Sequence, residues 1–236
     1  MQRHLKFHIF ENIPSTQEVA KTISMQPNTM HLVLAFEQTA GQGTFGKTWL
    51  SPKNRGLYLS LTFKLGDKIP KQTLSLLAVS ACAECLDTIH PTIKWPNDLL
   101  VDGKKIGGIL TEVLDDRIIV GIGINLNTPE MLLGTLDQSA TSWHHHAKPP
   151  AVEDLAKELA EIFMKFLDLW DRDGFKVIKP IYTRYFPLIG KKVIAELPEG
   201  LQKGFLIDFS DLGYPILKTG DLLQTLTHVK HLNLNL

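Results

Sequence analysis

The chain has 236 residues, 44% apolar and 21% charged, enough apolar content for a buried core and too much for a disordered chain. Its 25 basic and 25 acidic residues cancel, which argues against a dedicated nucleic-acid binder and against attraction to an anionic membrane. The N-terminus has no apolar stretch of signal-peptide length and no run approaches membrane-span length, so the expected setting is the cytoplasm.

In chain order, Leu5, Phe7 and Ile9 alternate with polar neighbours and predict a first strand. Ser15 reads as a helix N-cap, with Glu18 completing a capping box and the helix running to about Met25. A strand is expected near His31–Glu37, then a Gly-rich stretch over Ala40–Gly46. Leu57, Leu59, Leu61, Phe63 and Leu65 alternate with Tyr58, Ser60, Thr62 and Lys64, which predicts a strand with one face in and one face out. Residues 71–89 read as a buried helix containing Cys82 and Cys85. A lone C-x-x-C could be a redox pair or half a metal site, but without a second pair the reading is two small buried side chains.

Strand signals follow near 92–95, 106–114 and 118–125, joined by Pro-Asn-Asp, Asp-Gly-Lys and Asp-Asp turns. Residues 137–150 read as a loop. Its His144–His146 run is taken as polar loop rather than a metal site, because consecutive residues rarely face one ion. A strongly amphipathic helix is expected from Val152, with Leu155, Leu159, Ile162, Phe163, Phe166, Leu167 and Trp170 on one face and Gly174 ending it. A shorter helix should end at Pro187. Glycines and short apolar runs over 188–236 predict a small all-β module. The expected architecture is α+β, with residues 1–187 as one domain and residues 188–236 as a small appended β-barrel.

Gly41-Gln42-Gly43-Thr44-Phe45-Gly46-Lys47-Thr48 satisfies both G-x-G-x-x-G and the P-loop pattern G-x-x-x-x-G-K-[ST]. Both patterns need a helix immediately afterwards, whose N-terminus holds the anion. Pro52 and Gly56 leave no room for that helix, so a flap between two strands is expected instead.

Lys94-Trp95-Pro96-Asn97-Asp98, then Lys105-Ile106-Gly107-Gly108-Ile109-Leu110, then Gly121-Ile122-Gly123-Ile124-Asn125-Leu126-Asn127, together with Ser15-Thr16 and the loop at 41–47, resemble the biotin protein ligases. Ala140-Thr141-Ser142 fits the same pattern, and the resemblance runs from about Glu11 to the end of the chain. It implies a class II synthetase-like mixed sheet flanked by helices with an SH3-like C-terminal barrel. Because the resemblance starts so early in the sequence, it implies the form without an N-terminal DNA-binding domain. It also implies ATP-dependent formation of biotinyl-5′-AMP and transfer of biotin to a lysine of a biotin carboxyl carrier protein. ATP, biotin and Mg2+ are the small molecules implied, and a homodimer is compatible with the family.

Residue by residue, the resemblance implies that Ser15, Thr16, Gln17, Gln38, Gln42, Gly43, Thr44, Lys105 and Gly108 line the biotin site. It assigns Lys47, Trp49, Asn97 and Asn125 to ATP. Lys105 would bridge the biotin carboxylate and the α-phosphate, and Asp98 would orient or deprotonate the acceptor lysine. No protein metal ligand is assigned. Two departures stand out. Gln42, Thr44 and Lys47 occupy positions where the family usually has arginine, and neither Gln nor Thr offers a guanidinium fork. Gln17 replaces a usual asparagine. The competing readings are a lipoate or octanoate ligase or transferase of the same fold, a P-loop nucleotidase and a non-catalytic biotin binder. K-W-P-N-D and the lack of a plausible nucleophilic cysteine argue against the first, and a helix starting at Lys47 would mark the second.

Overall fold

The structure is a computed structural model that describes residues 3–64 and 70–235. Strand β1 (His4–Phe10) leads into helix α1 (Thr16–Thr22), which returns the chain to β2 (Thr29–Ala35), parallel to β1. Strand β3 (Gly56–Lys64) runs antiparallel to β2, and helix α2 (Lys71–Cys85) follows. Strands β4 (Thr92–Lys94), β5 (Asp98–Val101), β6 (Lys104–Leu114) and β7 (Arg117–Asn125) complete a seven-stranded mixed sheet of order β1-β2-β3-β7-β6-β5-β4.

The short helix α3 (Glu130–Leu133), the long α4 (Val152–Asp173) and α5 (Lys179–Tyr185) lead to a second sheet. Its strands are β8 (Lys192–Leu197), β9 (Gly200–Phe209), β10 (Pro215–Thr219), β11 (Leu222–Thr225) and β12 (His231–Leu234). All its pairings are antiparallel, in the order β11-β10-β9-β8-β12. The expected β module is therefore present, but among the described residues β11 and β12 remain edges and no barrel closes. The hydrophobic core is continuous between the two sheets: Trp95 stacks on Phe209 at 5.6 Å, and its indole N–H donates to the Val229 carbonyl.

Several expectations change in detail. Strand β3 is buried on both faces from Gly56 to Phe63, because α4 covers one face while α1 covers the other. Tyr58, Ser60 and Thr62 are therefore interior polar groups rather than solvent-facing ones, and each finds a hydrogen-bond partner. Leu65, the last member of that alternation, lies outside the described residues. On β1 the alternating apolar residues Phe7 and Ile9 are exposed, because β1 is a sheet edge.

Helix α1 stops at Thr22, not Met25. The Arg117 guanidinium donates to the carbonyls of Ala20 and Lys21, meeting the orphan acceptors of a helix end. Ser15 caps the helix by accepting from the Gln17 N–H, whereas Glu18 turns outward to Lys21 and Gln42 instead of closing a capping box. The buried helix of residues 71–89 is α2 plus a short 3-10 turn at Asp87–Ile89. Cys82 and Cys85 are free and buried in α2. Burial pushes the Cys85 thiol up to about 12 and Cys82 well above its ordinary value, so neither is poised as a thiolate. Strand β5 falls between the expected Pro-Asn-Asp and Asp-Gly-Lys turns, where no strand was expected. It is too short for periodicity to reveal, and it forms because β4 and β6 supply partners on both sides.

Candidate functional site

The Gly-rich segment is a hairpin flap. Gln42 bridges Thr48, the Gly43 N–H donates to Lys47 O at 2.7 Å, and the Trp49 N–H donates to Gly41 O at 2.9 Å. Thr44–Gly46 form its tip, with Phe45 and Gly46 at positive φ. The chain leaves Lys47 extended and no helix follows, which removes the P-loop and dinucleotide-loop readings.

The flap, the N-terminus of α1 and strands β5 to β7 enclose a cleft with about 480 Å³ of open space. Ser15, Thr16 and Gln17 enter it from α1, and Gln38 from the segment after β2. Gln42, Gly43 and Thr44 enter from the flap, and Asn97, Asp98, Lys105 and Gly108 from the far side. Leu59, Ile109, Leu110 and Ile122 supply apolar wall. A second cleft of about 390 Å³ is lined by Thr48, Leu50, Asn125, Leu133, Leu136, Gln138 and Ala140. Trp49 and Lys105 line both clefts and form their junction.

Lys105 reaches this junction because Asp102 and Gly103 both adopt positive φ and turn β5 tightly into β6. Its backbone is pinned from outside the sheet: the Lys105 N–H donates to Ser139 O, and its carbonyl accepts from Thr141 N–H. The ammonium lies 2.7 Å from Asp98 Oδ1 and 5.5 Å from the Trp49 ring centroid. Lys105 and Asp98 are 16% and 19% exposed, so the pair is largely but not fully shielded from solvent. Asn97 and Asn125 each donate their amide N–H to a backbone carbonyl, of Ile109 and Thr141 respectively. The Oδ1 of each remains as the group available to a ligand.

The polar end of the first cleft is a directed network. Gln38 Oε1 accepts from the Thr16 backbone N–H at 2.8 Å and from the Thr16 hydroxyl at 3.1 Å, while Gln38 Nε2 donates to Ser51 Oγ. Ser15 Oγ accepts from the Gln17 N–H, so its own proton is free to donate.

Four further side chains or glycines, and one wall of the second cleft, were not legible as site residues in the sequence. Ser60 and Glu112 complete the network around Gln17, but they meet α1 only across the sheet. Gly121 and Gly123 form the floor: a Cβ at 121 would lie 2.6 Å from Gln17 Oε1, and one at 123 would lie 2.3 Å from the Trp49 ring. Their place in the Gly-Ile-Gly run was the available signal. The wall at 133–138 carried no recognisable signal. Two assigned residues do not reach as expected. Lys47 is exposed and lines neither cleft, and the Gln42 amide donates outward to Glu18 although Gln42 borders the first cleft.

Gly123 gives a direct structural test. Gly123→Ala is expected to displace the Trp49 indole and destabilise the fold by about 1–3 kcal/mol, the range for overpacking. Calorimetry should show a melting temperature lower by about 2–10 °C. An unchanged melting temperature would show that Trp49 does not rest on Gly123.

Two clefts on a mixed sheet that meet at Lys105 and Trp49 suit a protein that joins two small ligands at a cation. The model of the biotin/lipoate A/B protein ligase family matches residues 9–128, and the chain belongs to that family. It is 33% identical over 237 residues to the bifunctional ligase/repressor BirA of Bacillus subtilis, covering 94% of this chain and 71% of that protein. It is 30% identical to the biotin–[acetyl-CoA-carboxylase] ligase of Mycobacterium tuberculosis, covering 80% and 73%. The biotin protein ligase of Aquifex aeolicus, solved with biotin and ATP, superposes with a TM-score of 0.79 at 28% identity and 98% coverage of both chains.

Proposed function

We propose that this protein activates biotin with ATP and transfers it to a lysine of a biotin carboxyl carrier protein of acetyl-CoA carboxylase type. The observation that carries the reading is the junction. A carboxylate tail in the first cleft and an α-phosphate in the second would meet beside Lys105. The relatives named for this reaction, and the similar structure holding biotin and ATP, support it.

In the first step a biotin carboxylate oxygen forms a bond to the α-phosphorus. The bond to the β-phosphate bridge breaks, and pyrophosphate leaves. Lys105 offsets the charge gathering on the phosphoryl oxygens. Mg2+ enters as the companion of the ATP substrate, on its phosphates. Asn97, Asn125 and Trp49 are the proposed nucleotide contacts. In the second step the acceptor lysine nitrogen forms the amide bond, the acyl–phosphate oxygen bond breaks and AMP leaves. Asp98 receives or orients the amine proton.

Biotin rather than lipoate is favoured by the polarity of the first cleft. A ureido ring presents both N–H donors and a carbonyl acceptor. Ser15 has a proton to give, and the Thr16 hydroxyl proton is held by Gln38, leaving Thr16 as an acceptor. A dithiolane ring would leave these groups unpaired.

We treat residues 1–187 as the catalytic unit and residues 188–236 as a small C-terminal unit, supported by the absence of strand pairing between the two sheets among the described residues. The proposed setting is the cytoplasm, where a carboxylase carrier and ATP coexist; among the described residues no helix is long and apolar enough to cross a membrane. A homodimer is part of the proposal, in keeping with the exposed Phe7 and Ile9 on edge strand β1, and sedimentation tests it. DNA is not a proposed partner, given the zero net charge.

The test of the function is pyrophosphate release with biotin, lipoate and octanoate in parallel, with a biotin carrier domain as acceptor. Release with biotin alone and one biotin added to one carrier lysine is the expected outcome. Release only with another acid would reassign the substrate, and biotin binding without release would make the protein a binder. With Gln42 turned to Glu18 and Lys47 outside both clefts, the flap offers the intermediate no cation. Biotinyl-5′-AMP should therefore escape into solution and label bystander lysines, as seen by mass spectrometry. Complete retention with a single labelled lysine would refute this.

A further inference from the structure

We infer that Glu112 is a positioning residue that keeps Thr16 a hydrogen-bond acceptor and so sets the preference of the first cleft for a ring bearing N–H groups; this rests on the biotin reading above. Glu112 lies on β6 and its side chain is 33% exposed, in contact with the solvent-facing Lys21 at 3.3 Å. Its Oε2 also accepts from Gln17 Nε2 at 2.8 Å, and Gln17 is buried. A carboxylate can only accept, so the Gln17 amide has one allowed orientation, with its N–H2 toward Glu112 and its carbonyl inward. Gly121 leaves the room that this inward oxygen requires.

The inward Gln17 Oε1 lies 2.9 Å from Ser60 Oγ, which also lies 2.9 Å from Thr16 Oγ1. Ser60 has one proton and two candidate acceptors. With the Gln17 oxygen fixed beside it, and with no proton of its own, Ser60 donates there. The Thr16 lone pairs then remain uncontested and face the cleft. If Gln17 could flip, its N–H2 would donate to Ser60, and the Ser60 proton would turn onto Thr16 and compete with a ligand N–H. Glu112, which lines neither cleft, thus acts on the ligand only through Gln17 and Ser60.

Glu112→Gln removes the acceptor-only partner and permits the flip. The test is calorimetric titration of the full chain with biotin and with its two ring-carbamate analogues, in each of which one ureido N–H is replaced by oxygen. The unaltered chain should prefer biotin over the analogue whose oxygen faces Thr16, and E112Q should shrink that preference by roughly tenfold, one hydrogen bond's worth. In a Ser60→Ala background, where no proton can turn onto Thr16, E112Q should leave the preference unchanged. A preference unaltered by E112Q, or one that shrinks equally in the Ser60→Ala background, overturns the inference and makes Glu112 structural only. Gln17→Met tests the same link without touching the carboxylate and should shrink the preference too. An unchanged preference there also overturns the inference. If the unaltered chain does not bind biotin at all, the functional reading fails and this inference with it; binding without the dependence on Glu112 defeats only the inference.

Discussion

Lys105→Ala is expected to lower biotin-dependent pyrophosphate release by about 10²–10³-fold, the loss associated with removing one preorganised group that stabilises transition-state charge. The argument is positional. Among the described residues, only Lys105 and Trp49 line both clefts, and Lys105 alone carries a positive charge there. Its removal also leaves Asp98 without its 2.7 Å partner. An unpaired, four-fifths buried carboxylate would then face an incoming carboxylate and phosphate, so the variant suffers repulsion in addition to lost attraction. The neighbouring Lys104 is the internal control, because it shares the turn but is exposed and lines neither cleft. Lys104→Ala should retain activity within about twofold, as surface substitutions away from special features usually do. Equal behaviour of the two variants would reduce Lys105 to an ordinary turn lysine.

Asp98→Asn is expected to separate the two half-reactions. Pyrophosphate release should persist, because Lys105 keeps its charge and loses only the counter-ion that partly neutralises it. Transfer to the carrier lysine should fall by about 10²-fold or more, the usual contribution of a general base. The pH dependence gives a second signature. Without Asp98 the acceptor amine must deprotonate unaided, and a free lysine does so near pH ~10.4. The residual transfer rate should then climb steeply as pH rises from ~7 to ~9, toward that value. Equal loss in both half-reactions would show that Asp98 only holds Lys105 in place. Single-turnover kinetics with preformed biotinyl-5′-AMP measures the second step alone.

These two residues were legible from the sequence because the features that bring them together are local. Asp98 and Lys105 sit on adjacent strands joined by an Asp-Gly turn, which fixes the pairing of Lys105 with Leu100, while a bulge at Leu99/Leu100 shifts the register before Asp98. The Ser15 cap, the amphipathic α4 and the Gly-rich flap were likewise readable, since periodicity and turn chemistry act over a few residues. The flap also shows how local pattern misleads. Gly41–Thr48 spells a P-loop, and only the element that follows it decides otherwise.

What the sequence determined by itself was the order of helices and strands in outline, the family resemblance and most of the polar residues gathered around the first cleft. Only the tertiary structure decided that both faces of β3 are covered, that Trp49 rests on Gly123, and that residues 133–140 wall a second cleft. It also decided that Gln17 is held by Glu112, 95 positions away. The reason is physical. Propensity, capping and turns depend on neighbours along the chain, but burial and hydrogen-bond direction depend on which distant strand or loop arrives alongside. That arrival is fixed by packing of the whole sheet against its helices, which no local window contains.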